Sequence, residues 1–314
     1  MATRAGEWLV YALGRSFAAL TRFVPLWPLE GAFGGLCGLL VMAVPGFRRR
    51  VGDNLALVRP DLDAPARRRL TRDAAAQFGR LMVEYAQFRR FLREIEIRAE
   101  GLDRLAEAAA SGRGAVLVTA HYGNWEAARI AALRAGIECG IIYRAFNNRY
   151  IDRRAMVVIP EAGRPVLQKG PRGMRAFLEH VERGGIAMVL IDQRNTGAPL
   201  IPFLGHPAET VTIAAELARR TGAALIPVVA RRNTAARRFD VRFEPEVPPA
   251  DPREMMAEVN RRIGAWIEAD PTQWFWFHRR WKLRGSLRRS GDRRRATRDG
   301  GGGAASARRG DRDG

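Results

Sequence analysis

Apolar and polar positions divide the chain into stretches of different character. Between Trp8 and Phe47 apolar residues dominate, interrupted by Arg15, Arg22, Pro25 and Pro28, and the run 31–47 carries no charge. After Arg48-Arg49-Arg50 the pattern becomes helical. Leu70, Ala74, Phe78, Leu81, Met82 and Tyr85 recur at three- and four-residue steps, which predicts a one-faced helix over 66–93 inside a helical region 48–98. From Ala99 short apolar runs alternate with helical periodicity. Strands are predicted at 115–120, 136–143, 186–191, 223–230 and 239–243, and helices at 102–110, 148–159, 173–183, 210–218 and 253–268. This alternation predicts an α/β fold, a mainly parallel sheet flanked by helices.

One junction stands out. The valine-rich run 115–120 ends at His121, and Asn124 is a good N-cap for a helix that has Glu126 in its first turn. Trp125, Ala128, Ile130, Ala131 and Leu133 fit the apolar face of that helix. In open α/β sheets such a strand-to-helix edge is where ligands bind. A neutral imidazole there is a suitable general base, provided a carboxylate fixes its tautomer and stabilises the imidazolium. Glu126, five residues on, is the carboxylate expected to reach one ring nitrogen. The spacing alone fits a second reading equally well: a histidine closing a strand, and a glutamate compensating a helix dipole.

Three further polar clusters fall at predicted strand ends. Arg144 follows 141–143, with Asn147, Asn148 and Arg153 close behind; Asp192-Gln193 follows the strand ending at Ile191; 202–205 and 208–210 lead into a helix. Arginine at such an edge suits phosphate or carboxylate, and an acid beside it can hold that arginine or a substrate hydroxyl. Taken singly these are ion pairs and turns; together they mark an edge assembled for binding.

Composition narrows the partners. The net charge of +20, carried almost entirely by arginine, favours nucleic acid, anionic lipid or an acidic protein. Cys37 and Cys139 form no framework or zinc pattern, which fits a reducing compartment. The run 31–47 is just long enough to span a bilayer, and the arginines that follow would keep the rest of the chain cytoplasmic. A buried helical hairpin and an interfacial helix are the alternatives. Residues 285–314, rich in arginine, glycine and aspartate without apolar periodicity, read as a disordered basic tail. Trp274, Trp276 and Trp281, with His278, Arg279 and Arg280, could pass for a nucleic-acid platform; Trp274 and Trp276 facing the core, with the arginines toward anionic groups, fits better.

These residues also carry a resemblance. The block from His121 to Glu126 is similar to the H-x4-D/E motif of the lysophospholipid acyltransferase superfamily. More narrowly, the chain resembles the bacterial lipid A biosynthesis acyltransferases, the lauroyl and myristoyl transferases acting on Kdo2-lipid IVA. The matching segments are 50–55, 143–153, Asp192-Gln193, 201–210 and 273–282. The resemblance implies a glycerol-3-phosphate acyltransferase-like fold with an N-terminal membrane helix (1–47), an acyltransferase domain (48–284) and the tail. It implies that His121 deprotonates a hydroxyl of a lipid A precursor, that Glu126 orients His121, and that the alkoxide attacks an acyl carrier protein thioester, with no metal or cofactor. Asn124, Arg144, Arg153, Arg164, Asp192 and Gln193 are the expected substrate-binding residues; Asp192 fits the family's further aspartate, and its arginine is one of Arg144, Arg153, Arg154 and Arg164. The implied partners are acyl carrier protein, a phosphorylated lipid acceptor and the bacterial inner membrane, without nucleic acid. Two other readings stay open: the same chemistry on a lysophospholipid, aminolipid or other glycolipid, and a non-enzymatic basic binding protein.

Overall fold

A computed structural model describes residues 3–281. Seven strands build the main sheet: β1 (Glu96–Glu100), β2 (Ala115–Thr119), β3 (Gly140–Tyr143), β4 (Val166–Gln168), β5 (Ile186–Leu190), then, after a separate antiparallel hairpin of β6 (Leu200–Phe203) and β7 (His206–Glu209), β8 (Ala224–Asn233) and β9 (Arg238–Phe243). Their order across the sheet is β1-β9-β8-β2-β5-β3-β4. Neighbours run parallel except β8 and β9, which form a hairpin. The α/β architecture is the one the alternating pattern predicts. All five residues of β2 are buried, as expected for a central strand paired on both edges and covered on both faces.

The helices are α1 (Arg4–Leu20), α2 (Leu26–Ala43), α3 (Pro45–Val58), α4 (Ala64–Ala86), α5 (Phe88–Glu94), α6 (Leu102–Ala110), α7 (Glu126–Arg134), α8 (Arg149–Val158), α9 (Pro171–Glu182), α10 (Ile213–Thr221) and α11 (Pro252–Ala269). Residues 3–280 belong to one compact unit, and the segment 285–314 lies outside the described residues.

Several elements depart from the sequence pattern, each for a local reason. The helix expected over 66–93 divides at Gln87, whose buried amide donates to Ala18 O and Thr21 Oγ1 and so joins α4 to α1. Strand β1, expected within a helical region, is a polar edge strand held only by β9. Strand β3 is shorter than expected because Gly136, at φ 78°, belongs to a turn. Pro28 does not break the N-terminal apolar run: it sits in the first turn of α2, where it displaces no helical hydrogen bond.

Helix α2 is the one described helix long and apolar enough to cross a membrane. One face of it is committed to protein. A Cβ on Gly34 would stand 2.7 Å from Ala76 O, and one on Gly79 2.7 Å from the Cys37 Cβ, so glycines let α2 and α4 approach backbone to backbone. On the same helix Glu30, almost fully buried, pairs with Arg232 of β8. The other faces of α1 and α2 leave Trp8, Leu13, Leu20, Leu36, Leu39 and Leu40 exposed.

Candidate active site

The turn after β2 holds His121. It is braced by the C-terminal segment: Phe275 N donates to His121 O at 2.9 Å, and Gly123 N donates to Gln273 O at 3.0 Å. Gly123 has φ 57°, and a Cβ there would lie 2.0 Å from Ala230 O, so only glycine fits. Gln273 is itself fixed, its Oε1 accepting from Arg232 N and its Nε2 donating to Arg232 O and Asp270. Asn54 of α3 donates to Trp276 O and His278 O, both at 2.8 Å, and pins the segment from the other side.

The parallel register then delivers the partner of His121. Thr119 of β2 faces Leu190 of β5, and Ile191 N extends the ladder to Thr119 O, so the chains leave the sheet side by side with His121 beside Asp192. Asp192, completely buried, accepts from His121 Nδ1 at 2.7 Å, from His121 N at 2.9 Å and from Trp274 Nε1 at 2.8 Å. Burial alone would raise its pKa. The charge and hydrogen bonds of His121 and the charge of His278 outweigh that and hold the carboxyl well below the usual carboxylate range. An ionised Asp192 can only accept, so His121 carries a proton on Nδ1, and the neutral form of the imidazole has its lone pair on Nε2.

Gln193 Nε2 lies 3.3 Å from that Nε2 and 3.5 Å from His278 Nε2, and the two imidazoles meet edge to face at 4.6 Å. Burial, then the charge of His121, pushes His278 down to about 4. The side chains of Ala74, Phe78, Leu81, Trp125 and Phe275 line an apolar cleft running from His121 along α4.

Glu126 is a correction to the sequence reading. Its carboxylate does not reach His121. It accepts from Arg129 at 2.5 Å and from the Tyr85 hydroxyl at 3.0 Å, fully buried. The reason is local. Asn124 Oδ1 accepts from Glu126 N and opens α7 there, which aims the glutamate along the helix toward Arg129, three residues on. Arg129 in turn donates to Cys139 O and Gly163 O. Asn124 also donates to Glu84, which pairs with the buried Arg232. Glu126 and Asn124 thus belong to a charged network behind the turn.

Of the other expected residues, His121, Asp192 and Gln193 come together. Arg144, Arg153 and Arg164 make no described bond to any of these three. Arg144 reaches only Asn147, at 3.5 Å, and Arg164 lies in an exposed loop where its backbone N donates to Glu138. Asn148 caps α8 and donates to Glu7 O of α1. His278 and Trp274, which complete the site, were legible as part of the aromatic run 273–282 but not as neighbours of His121. Arg280, buried, ties Gln193 O to Glu209 O and Thr210 Oγ1. His121, Asp192 and His278 also bring one potential metal-donor atom each within 4.8 Å of one another, though Asp192 is already engaged by His121 and Trp274.

Residues 2–283 match the family model described as bacterial lipid A biosynthesis acyltransferase. Among curated relatives, the lipid A biosynthesis lauroyltransferase of Escherichia coli is 28% identical over 266 residues, covering 79% of this chain and 84% of that one. The lipid A biosynthesis palmitoleoyltransferase of the same organism is 26% identical over 259 residues, covering 77% and 82%. The phosphatidylinositol mannoside acyltransferase of Mycobacterium tuberculosis is 29% identical over 206 residues, 62% of each chain. With a histidine–aspartate pair at the sheet edge and a family match over nearly its whole length, this chain belongs to the bacterial lipid A biosynthesis acyltransferase family.

Proposed function

We propose that this protein is a membrane-bound O-acyltransferase that moves a fatty acyl chain from acyl carrier protein to a hydroxyl of a lipid A precursor. The observation that carries the reading is His121, its Nδ1 held by Asp192, in the lining of an apolar cleft. His121 Nε2 takes the proton of the acceptor hydroxyl, and the oxygen attacks the thioester carbonyl. Collapse of the tetrahedral intermediate expels the thiolate, which recovers the proton from the imidazolium. Asp192 keeps the tautomer and stabilises the cation, in the role first expected of Glu126. The cleft receives the acyl chain. Arg144, Arg153 and Arg164 meet phosphates of the acceptor or acidic groups of the carrier.

The first 47 residues attach the enzyme to the inner membrane. The exposed apolar side chains of α1 and α2 support this, and the arginines 48–50 support a cytoplasmic catalytic domain over 48–284. The test is acyl transfer from an acyl carrier protein thioester to a tetra-acylated lipid A precursor, in membranes carrying the native chain or His121→Ala. Transfer by the native chain alone is expected. Equal transfer by both would remove His121 from the mechanism.

A second acceptor class is favoured by one observation, the similarity to a phosphatidylinositol mannoside acyltransferase. The same assay with a mannosylated lipid, and with acyl-CoA as donor, separates the two.

A further inference from the structure

The position of the Gln193 amide has a consequence for the acceptor. Its Nε2 carries two N–H groups and stands within reach of two imidazole nitrogens, His121 Nε2 at 3.3 Å and His278 Nε2 at 3.5 Å. In the neutral His121 imidazole the lone pair is on Nε2, because Nδ1–H is committed to Asp192. The opposite amide orientation would turn Oε1 toward that lone pair and toward His278, an arrangement with no proton to share unless His278 supplied one. In its Nδ1-protonated tautomer, a neutral His278 accepts at Nε2 and decides which end of the amide faces the reacting atoms. Both groups are anchored through their backbones: Asn54 holds His278 O at 2.8 Å, and Arg280 reaches Gln193 O at 3.4 Å.

We propose that Gln193 and His278 form a clamp for the acceptor hydroxyl, in which His278 is the positioning residue that holds a Gln193 N–H toward the hydroxyl oxygen. The proposal rests on the acyl-transfer reading above. When the acceptor arrives, its O–H takes the place of the Gln193 N–H on His121 Nε2. The freed N–H turns to the hydroxyl oxygen, while the second N–H stays on His278. As the proton passes to His121, negative charge grows on an oxygen that already has a donor aimed at it. His278 neither gains nor loses a proton in the cycle. Its neutral state at working pH follows from its burial, which lowers its pKa to about 4.

The test compares His278→Leu with His278→Gln. Leucine cannot accept the Gln193 N–H; glutamine can reach the same place and accept it. The expected result is a fall in kcat of roughly tenfold or more for the leucine variant, with KM changed by less than about twofold, and recovery of most of that loss with glutamine. Native kcat in the leucine variant, or equal impairment of both, overturns the clamp. A second readout does not depend on turnover. Long-range proton–nitrogen spectra of the native protein in detergent are expected to show both His121 and His278 protonated at Nδ1 and bare at Nε2. A His278 protonated at Nε2 overturns the proposal. Should the native enzyme fail to acylate a lipid A precursor, the acyl-transfer reading falls by itself and the spectra decide the clamp.

Discussion

Asp192 Oδ1 lies 2.7 Å from His121 Nδ1, across 71 residues of sequence and one parallel strand pair. The carboxylate is wholly buried and is shared with the backbone N–H of the same histidine and with Trp274. An asparagine here would keep the shape but could present its N–H₂ to Nδ1 and reverse the tautomer. Asp192→Asn is therefore expected to lower kcat per folded molecule by roughly 10³-fold or more, measured by thioester-to-lipid transfer. Retention of native kcat would exclude Asp192 as the orienting group.

Glu126 is expected to behave differently. Its partner Arg129 is fully buried and also holds the carbonyls of Cys139 and Gly163. Glu126→Gln leaves that guanidinium short of a charge and should cost about 3–5 kcal/mol of stability. Per folded molecule, turnover should stay within several-fold of native. Denaturant unfolding together with activity normalised to folded protein separates the two effects.

Gly123 combines a positive φ with a site closed by Ala230 O. Gly123→Ala must shift either the His121 turn or β8. Loss of roughly 2 kcal/mol or more and a steep fall in kcat are expected together, because the same turn carries His121. Unfolding curves and transfer rates of the variant check both.

His278 makes stability depend on pH with a definite sign. It titrates near 4 when folded, against an ordinary value of 6.5. Between these values the unfolded chain binds more protons, so stability rises with pH. The contribution is complete above about 6.5 and is lost as pH falls toward 4, with a ceiling of about 3 kcal/mol. His278→Gln, which cannot titrate, should flatten the stability curve over that window in denaturant titrations at several pH values. An unchanged slope would show that His278 does not titrate as described.

Much of this was legible in the chain. Valine-rich 115–120 reads as a buried strand, and Asn124 as the N-cap of the next helix sets His121 at the strand's end. Asp192-Gln193 was recognisable as a polar pair after a second apolar run. Short polar elements were not: β1 has no apolar run to announce it, because its single partner is β9 and one side faces water. The run 31–47 reads as a candidate membrane span, whereas in the fold its Gly34 and Gly38, with Gly79 of α4, close the contact between α2 and α4.

The pairing of charges is where local sequence ends. Five residues separate His121 from Glu126, and spacing makes them look like partners; helix geometry instead hands Glu126 to Arg129. His278 entered the site because Asn54 and the turn at His121 draw the C-terminal segment across the sheet edge. The alternating α/β order, the buried central strand and the histidine at its end are written in the chain, because periodicity and turn residues act over a few positions. The carboxylate that holds that histidine and the second imidazole beside it come from the fold, because strand register and long-range docking bring together groups that no spacing along the chain relates.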